Sequence, residues 1–535
     1  MGRPELVPGQ SPDGGVATSP ATSPAALGYQ QELRRGVGSF ASFAAGFSFV
    51  SILTTVFQLF GLGFGLGGAA FFWTWPLVFA GQMLVALCFA ELAARWPISG
   101  AIYQWSSRLA GNTVGWFVGW IMIIGQILTV AAAAIAAQAV LPGIWSGFQI
   151  VGGAGADPSV GSPTGAQNAV LLGCLLLVVT TVVNILGIRQ MAAATSIGVA
   201  IEIVGVIALV LVLFFLPERG PQVVAHHTGW AGDGGYIGAF LASSLMAAYV
   251  MVGFDSAGEL AEETHNPRRT TPRTILRALI LSGVGGALLI LSGLMAASSL
   301  TDGNLATGGL SWVLTDRLGD VLGRLLLCCV AVAVFACTLA VQTSGARMIY
   351  SMAREGALPF HRHLGKVSAR TGTPITTSVV VGVGAAIALV VNLRQTAIFT
   401  ALASLCIAML YLAYLGVTLP QLVARIRHRG LPEGVDETGR PLFSLGRWGM
   451  AVNTLAVLYG AGMTVNLIWP RPEIYDLTGG TWWLRWSALL FIGLSLAVAA
   501  AYFLARRLHR RIELRHVPHT HVESAAQAEA VAEPA

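Results

Sequence analysis

The segment YIGAFLASSLMAAYVMVGFDSAGELAEETHNPRRTTPR, residues 236–273, decides the fold because its long apolar run is interrupted within membrane depth. The interruption, GFDSAG at 253–258, places Asp255 and two glycines inside that run. An acid in the hydrocarbon costs about 2.5 kcal/mol or more, so it is retained mainly where it faces protein or a water-filled cavity. An interrupted helix exposes backbone amides and carbonyls, which membranes tolerate where they line a site. The segment therefore predicts a binding site built on an unwound helix.

The composition places this segment in a protein that crosses the membrane many times. The chain has 535 residues, of which 55% are hydrophobic and 10% charged, and its mean hydropathy is +0.70. A helix needs about 20 apolar residues to cross the hydrocarbon layer. Twelve stretches reach that length, namely 40–66, 69–93, 101–140, 167–187, 190–216, 236–260, 274–299, 319–352, 375–392, 396–419, 448–469 and 482–506. We therefore predict an all-α polytopic membrane protein with twelve transmembrane helices and exclude an ordinary soluble domain.

The basic residues predict how the spans are oriented. If residues 1–38 are cytoplasmic, the loops on that side collect most of the arginines and the single lysine, whereas the opposite loops hold few. Loops rich in Lys and Arg stay inside, so both termini are predicted to be cytoplasmic. The formal net charge of +6 then follows from topology, and no nucleic-acid partner is needed. Residues 1–38 and 509–535 are predicted to be disordered cytoplasmic tails that flank a transmembrane domain at 39–508.

The transmembrane domain divides into two stretches of nearly equal length. Residues 40–216 and 236–416 each hold five predicted spans, and each opens with an interrupted, glycine-containing helix. Because five is odd, the two stretches must lie in the membrane with opposite orientations. The economical interpretation is a five-plus-five inverted repeat with discontinuous helices 1 and 6. Helices 11 and 12, within 448–506, would then be peripheral.

Three segments resemble a known family. They are SFASFAAGFSFVSILTTVFQLFGLGFGLGG at 39–68, AELAARWPISGAIYQWSSRLAG at 90–111, and VGFDSAGELAEETHNPRRTTPR at 252–273 together with SGARMIYSMAREGALP at 344–359. On these motifs the chain resembles the amino acid–polyamine–organocation permease superfamily, in its amino acid/choline or GABA permease branch. The resemblance spans about residues 38–506. It implies a leucine-transporter-like fold with a central site between helices 1, 3, 6 and 8.

The interruption of the first span supplies the first group of candidate substrate-binding residues. They are Phe47, Ser48, Phe49, Val50 and Ser51. Free amides at a half-helix N-terminus bear partial positive charge and suit a carboxylate. The better-known amino acid transporters of the family that this chain resembles have a short Gly-Ser-Gly type of break here, which this chain lacks. That departure leaves room for a γ-amino acid or an organic cation. Alternatively, the serines bond to helix carbonyls or bridge helices.

The interruption of the sixth span supplies the second group, which is Tyr249, Gly253, Phe254, Asp255 and Ser256. The resemblance implies that Tyr249 lies near the position of an aromatic gate. Asp255 would bond the opened backbone or take a substrate amine as counter-ion, and the alternative is a structural cap for the helix break. The acids that follow, Glu259, Glu262 and Glu263, are interpreted as a cytoplasmic latch or ion-pair network rather than a binding site.

A second buried acid, Glu202, lies in the fifth span with apolar residues for several turns on both sides. A carboxyl group in such surroundings can take up and release a proton, so Glu202 is the candidate for proton coupling. A hydrogen bond to a neighbouring helix and direct binding of a cationic substrate are the alternatives.

Three further polar residues are candidates. Thr338 and Gln342 lie on a polar face of the eighth span, and Gln126 of the third span is a candidate lining residue. Hydroxyls of the eighth span would offer oxygens to sodium, but the first span shows no clear set of ligands, so protons are favoured over sodium. Glu91, Arg95 and Arg108 flank the PISGAIY turn, and Arg347, Arg354 and Glu355 flank the end of the eighth span, where they would suit an intracellular gate; ordinary positive-inside anchoring is the alternative.

These features together predict a secondary active transporter that moves an amino acid or related amine, GABA-like or other, by proton-coupled uptake. Exchange, choline or polyamine transport and a transceptor-type sensor are the alternatives. No hydrolase, phosphate-loop or zinc motif is present, so neither an enzyme nor a cofactor or metal is expected. Arginine- and alanine-rich usage suggests a bacterial inner membrane, and the lipid bilayer, substrate and protons are the expected partners of a monomer or dimer.

Overall fold

The computed structural model describes residues 32–33, 35–227, 235–391, 393, 398–428, 430–436, 438–475 and 482–508. Most of the predicted N-terminal tail and all of the predicted C-terminal tail lie outside these residues. Within them the chain folds into helices joined by turns, without a strand. The α-helices are α1 Ser39–Val50, α2 Ile52–Gly67, α3 Thr74–Arg95, α4 Ala101–Ala110, α5 Asn112–Ile144, α6 Pro163–Leu186, α7 Ile188–Phe214, α8 Gly235–Val250, α9 Ser256–Glu259, α10 Pro267–Ala296, α11 Gly303–Arg354, α12 His361–Leu364, α13 Ile375–Val391, α14 Ile398–Ile426, α15 Gly449–Ile468, α16 Pro472–Tyr475, α17 Trp482–Arg485 and α18 Ser487–Ala505.

The helices have the lengths that a polytopic membrane protein requires. Ten helical stretches of the described residues are long and apolar enough to cross a membrane, with α1 and α2 counted as one. Two shorter apolar helices, α8 and α13, add to these. The protein is therefore an all-helical, multi-pass membrane protein, while twelve spans and an inverted repeat remain predictions.

Two of the apolar stretches are interrupted where the sequence predicts. Ser51 separates α1 from α2 with φ 34, an uncommon conformation for a residue other than glycine. Residues 251–255 separate α8 from α9, and Gly253 has φ +90. Both breaks leave backbone groups outside the hydrogen-bonding ladder of a helix.

The prediction of one continuous third span at 101–140 is wrong. Gly111 has φ +89 and ends α4, so that α5 begins afresh at Asn112. Glycine in this conformation is a common helix stop because it has no Cβ to clash. α11 is likewise bent, at Gly309 with φ 54 and at Gly319 with φ 67, and the predicted eighth span is the part that follows the second bend.

The core of the bundle forms around α5. This helix packs against α2, α4, α6, α11, α13 and α14, and α11 packs in turn against α1, α2 and α7. α15 and α18 lie outside this core and expose apolar side chains such as Leu458 and Leu494. A helix that faces lipid keeps apolar residues on its outer side, so the interrupted helices lie in the protein interior and the last two at its edge.

Candidate functional site

The break between α1 and α2 is occupied by the carboxylate of Glu202 from α7. Ser51 Oγ donates a hydrogen bond to Glu202 Oε1 at 2.9 Å, and the Leu53 amide donates to the same oxygen at 3.2 Å. Glu202 is fully buried. The amides at the start of α2 have no partners within the helix and bear partial positive charge. Glu202 therefore caps α2 at the amides that the sequence assigned to a substrate carboxylate.

Neighbouring groups of the first break are also engaged. Thr55 Oγ1 donates to the Ser51 carbonyl at 2.6 Å, and the Cys337 thiol of α11 lies 3.7 Å from the Phe49 carbonyl as a weak donor. The buried Ser48 hydroxyl and the second oxygen of Glu202 have no hydrogen-bond partner among the described residues. Buried polar atoms are rarely left without a partner, so these two atoms mark the region as a candidate ligand site.

The two breaks touch each other at Phe49 and Gly253. A Cβ added to Gly253 would lie 1.7 Å from Cδ1 of the Phe49 ring, so only glycine fits there. Ser256 adds a second contact between the same elements, because its hydroxyl donates to the Ala45 carbonyl at 3.4 Å. The structure thus brings the two groups of candidate residues together through direct contact between α1 and the α8–α9 connection.

Asp255 is held by a tyrosine that sequence reasoning missed. Tyr414 of α14 donates its hydroxyl to Asp255 Oδ1 and accepts a hydrogen bond of 2.9 Å from the Gly253 amide. Phe254 packs against the rings of Tyr414 and Phe89, with centroids 5.5 and 5.9 Å away. Asp255 Oδ2 has no partner among the described residues. One oxygen therefore fixes the break to α14, and the other remains available.

The remaining candidates divide between the breaks and the helix interfaces. Tyr249 is buried near the thiols of Cys337 and Cys406, between α11 and α14. Gln126 donates to Ser344 at 2.9 Å and so joins α5 to α11.

The polar face of α11 serves contacts between helices. Gln342 donates to Thr181 of α6 at 2.6 Å and to the Ser378 carbonyl of α13 at 3.2 Å. The Thr338 hydroxyl donates to the Val334 carbonyl of its own helix at 2.8 Å. The Gln342 amide is therefore engaged with α6 and α13, and the Thr338 hydroxyl with its own helix.

The end of the bundle that contains Arg95, Arg347, Arg354 and Arg425 is called the arginine-rich end below. There Glu262 pairs with Arg354 at 2.7 Å and Glu263 pairs with Arg347 at 3.1 Å. Both glutamates and Arg347 are buried. Buried pairs of this kind are costly to break because each partner alone would be an uncompensated charge.

Backbone groups add further hydrogen bonds to these acids. The Ser99 amide donates to Glu262 at 3.1 Å and the Gly100 amide donates to Glu259 at 2.8 Å. The amides of Gly36 and Val37 donate to the Glu263 carbonyl at 3.1 and 2.9 Å. The three acids thus join the turn before α4, the start of α1 and the end of α11, and we call this set of contacts the latch.

The residues considered for a gate form several separate contacts. Glu91 pairs with Arg425 of α14, which the sequence did not single out, and Arg95 lies 3.8 Å from Glu91. Glu355 accepts hydrogen bonds from Tyr103 and Gln104 of α4. Glu91 and Arg425 lie 334 residues apart, so this pairing cannot be read from spacing.

The opposite end of the bundle contains a pocket of about 540 Å³. Its lining includes Phe57 and Gln58 of α2, Gln138 of α5, Trp312 of α11 and the loop at 157–161. Phe57 lies six residues after the break at Ser51. The pocket therefore approaches the first break from the side opposite to the latch.

Comparison with known proteins gives a consistent result. The sequence profile described as "Amino acid permease" matches residues 37–495. The chain is 28% identical to the amino-acid permease BAT1 of Arabidopsis thaliana over 90% of its own length and 94% of the relative. It is 28% identical to the branched-chain amino acid permease BcaP of Lactococcus lactis subsp. cremoris, over 60% of this chain and 68% of the relative. With BcaP of Bacillus subtilis the identity is 24%, over 91% and 96% of the two chains.

Proposed function

The chain belongs to the amino acid permease family, and from this premise we propose that it is a proton-coupled secondary transporter that moves an amino acid by alternating access. The contact between the two helix breaks is the observation that supports this proposal. At α2 the N-terminal amides favour a carboxylate, whereas the carbonyls at the end of α8 favour an ammonium group. Because Phe49 touches Gly253, both ends of a zwitterion would find complementary partial charges within one site.

The position of Glu202 suggests how protons would be coupled to substrate. Its carboxylate caps the amides of α2, which are also the groups suited to the carboxylate of an amino acid. Two carboxylates that share one site repel each other, so binding of the second favours protonation of the first. Substrate and proton would therefore bind together, and release of one would promote release of the other.

The latch and the pocket suggest the direction of access. In this structure the buried latch acids Glu262 and Glu263 are paired with Arg354 and Arg347 at the arginine-rich end, and a pocket approaches the first break from the other end. Loops rich in arginine are normally cytoplasmic, so we propose a state closed to the cytoplasm in an inner membrane. Opening of the latch would release substrate inside, and uptake is the direction that this arrangement favours.

The substrate class is proposed from the surroundings of the breaks. Phe47, Phe49, Val50 and Phe254 are buried apolar side chains beside the polar backbone groups, and such surroundings suit an aliphatic side chain. Two bacterial relatives are named for branched-chain amino acids. We propose a neutral aliphatic amino acid as substrate. GABA is the second candidate, because the first break lacks the Gly-Ser-Gly type of sequence.

Uptake by the purified protein in liposomes tests these proposals. Labelled leucine, isoleucine, GABA, choline and a polyamine would be offered with and without an imposed pH gradient, acidic outside. The proposal expects leucine or isoleucine to accumulate only with the gradient. Accumulation without dependence on pH would contradict proton coupling, and exchange alone, seen only when the liposomes are preloaded with substrate, would favour an exchanger.

A further inference from the structure

A groove of about 580 Å³ runs along the surface between the start of α1 and the start of α10, and the proposed transport cycle does not use it. Arg269, Arg273 and Arg277 line one wall. Their spacing of four residues places all three on the same face of α10. Like charges spaced in this way repel each other, so the face is suited to an anion that bridges them.

Two of these arginines have no partner among the described residues. Arg273 and Arg277 are exposed, and no described residue forms an ion pair or hydrogen bond with either guanidinium. Arg269 donates a long hydrogen bond of 3.4 Å to the Thr438 hydroxyl and interacts electrostatically with the Asp436 carboxylate. The buried arginines of the latch, by contrast, are all paired with glutamates. The charges of Arg273 and Arg277 are thus available for an external ligand.

The N-terminus of α1 opens into the same groove. Ser39 and Phe40, the first two residues of this 12-residue helix, line the groove, and the N-cap residue is Gly38, which has no side chain to cap the helix. The first amides of a helix lack internal partners and attract phosphate or carboxylate. An anion between α1 and α10 would therefore meet uncapped amides on one side and guanidinium groups on the other.

Apolar groups border the charged ones. The Phe40 ring is 52% exposed, and Leu281 and Val284 are exposed on α10 in the turns that follow Arg277. A soluble anion gains nothing from this apolar border, whereas a phospholipid places its phosphate at the interface and its acyl chains alongside. We propose that the groove binds an anionic phospholipid, with its phosphate between the arginines of α10 and the N-terminus of α1.

Such a lipid would act on the latch. The residues immediately before α1, Gly36 and Val37, are bonded to Glu263, and α10 begins at Pro267, shortly after the three latch acids. A headgroup that bridges α1 and α10 would hold both elements in the arrangement seen here. Anionic lipid is therefore expected to stabilise the state that is closed at the arginine-rich end.

Direct binding to the full-length protein tests the proposal without depending on transport. Protein in phosphatidylcholine nanodiscs would be titrated with fluorescent phosphatidylglycerol, and bound lipid would be measured by energy transfer from tryptophan. For two arginines at an anionic interface, Arg273→Gln with Arg277→Gln should weaken the binding of this lipid about thirty-fold. Arg273→Lys with Arg277→Lys, which retains both charges and controls for folding, should keep most of the affinity.

A second pair of exposed arginines serves as a control that distinguishes a specific lipid site from a general effect of surface charge. Arg506 and Arg507 are exposed at the end of α18, and changing both to Gln removes the same charge far along the chain from the groove. This pair should leave phosphatidylglycerol binding unchanged. Three outcomes would contradict the lipid site. These are an equal loss of phosphatidylglycerol binding in both double variants, an equal affinity of the protein for phosphatidylcholine and phosphatidylglycerol, and a stabilisation of the closed state by inorganic phosphate as large as that by phosphatidylglycerol.

Discussion

Each of the two helix breaks contains a buried acid, but the hydrogen bonds of the two acids are made in different ways. At the first break the acid comes from another helix, since Glu202 lies 151 residues from Ser51 along the chain, and it caps free amides. At the second break the acid belongs to the break itself, and Asp255 is held by Tyr414 from 159 residues away. Each carboxylate is buried and leaves one oxygen without a partner in the described part of the chain.

This difference indicates separate roles for the two acids. Glu202 accepts hydrogen bonds at a helix terminus, where we propose that a substrate carboxylate would replace its charge. Asp255 and Tyr414 join α9 to α14, so they determine where the break lies. We expect changes at the second break to affect the whole site, and changes at the first to affect the dependence on protons.

Gly253→Ala should have the largest effect, because it separates the breaks where they touch. The new methyl group would overlap the Phe49 ring, and φ +90 is unfavourable for alanine. Overpacking and backbone strain together should lower stability by about 2 kcal/mol or more and abolish uptake. Thermal unfolding and uptake by the purified protein would measure both.

The matched control is Gly238→Ala in α8, where an added Cβ meets no atom within 4 Å. It should be tolerated, since alanine favours a helix over glycine. Normal uptake by Gly253→Ala would show that the breaks need not touch.

Asp255→Asn should abolish uptake while the protein remains folded. Asparagine retains the shape and can still accept the hydrogen bond from Tyr414, but it removes the charge that a substrate ammonium group would meet. Substrate uptake and size-exclusion chromatography of the same preparation test the two halves of this expectation. Near-normal uptake would assign Asp255 a purely structural role.

Glu202→Gln should remove accumulation driven by a pH gradient but retain exchange. The amide still accepts hydrogen bonds from Ser51 and Leu53, yet it can no longer gain or lose a proton. Uptake with and without a gradient, and exchange in preloaded liposomes, would be compared at several pH values. An unchanged pH profile would exclude Glu202 as the coupling group.

Tyr414→Phe should destabilise the second break and slow uptake. It leaves the Gly253 amide and Asp255 without their shared partner, which costs about 1–3 kcal/mol for a buried group. Uptake should fall about ten-fold or more. Tyr411→Phe on the same helix is the control, because the Tyr411 hydroxyl bonds to Tyr459 at 3.0 Å instead. Equal loss of uptake in both variants would contradict a specific role for Tyr414.

Ser51→Ala should have the smallest effect of the series. It removes one of the two hydrogen bonds to Glu202, and the Leu53 amide retains the other. A hydrogen bond to a charged group contributes about 1.5–3 kcal/mol, and the remaining bond from Leu53 compensates in part, so we expect uptake to fall by no more than about ten-fold, with dependence on the pH gradient preserved. Loss of that dependence would show that Ser51 itself participates in proton coupling.

Much of the site was predictable because its signals are local. Gly253 and Asp255 lie inside an apolar run, as do the small and polar residues around Ser51, and each cluster marks a helix break at its correct position. The latch acids were also identified. The end of α4 at Gly111 was missed because glycines are frequent in these apolar stretches. Gly111 ends the helix because its φ is positive, and φ cannot be read from the sequence.

The partners of the buried groups were not predictable. Tyr414 stands in an apolar span with no polar neighbour to mark it, and Arg425 resembles an ordinary basic residue at a helix end. Gln342 was placed on a candidate site face, but its amide bonds to α6 and α13. A helix buried on several sides presents polar groups to several neighbours, so periodicity alone does not identify the neighbour that a side chain meets.

The sequence by itself determined that this is a multi-pass membrane protein of the amino acid permease family and where two of its helices are interrupted. These properties depend on hydropathy, length and residues that are close together along the chain. Only the tertiary structure decided that Glu202 caps α2, that Tyr414 holds Asp255 and that the latch is closed. The physical reason is that a buried polar group must find a partner wherever the fold brings one within about 3 Å, and these partners lie 80 to 160 residues away or more.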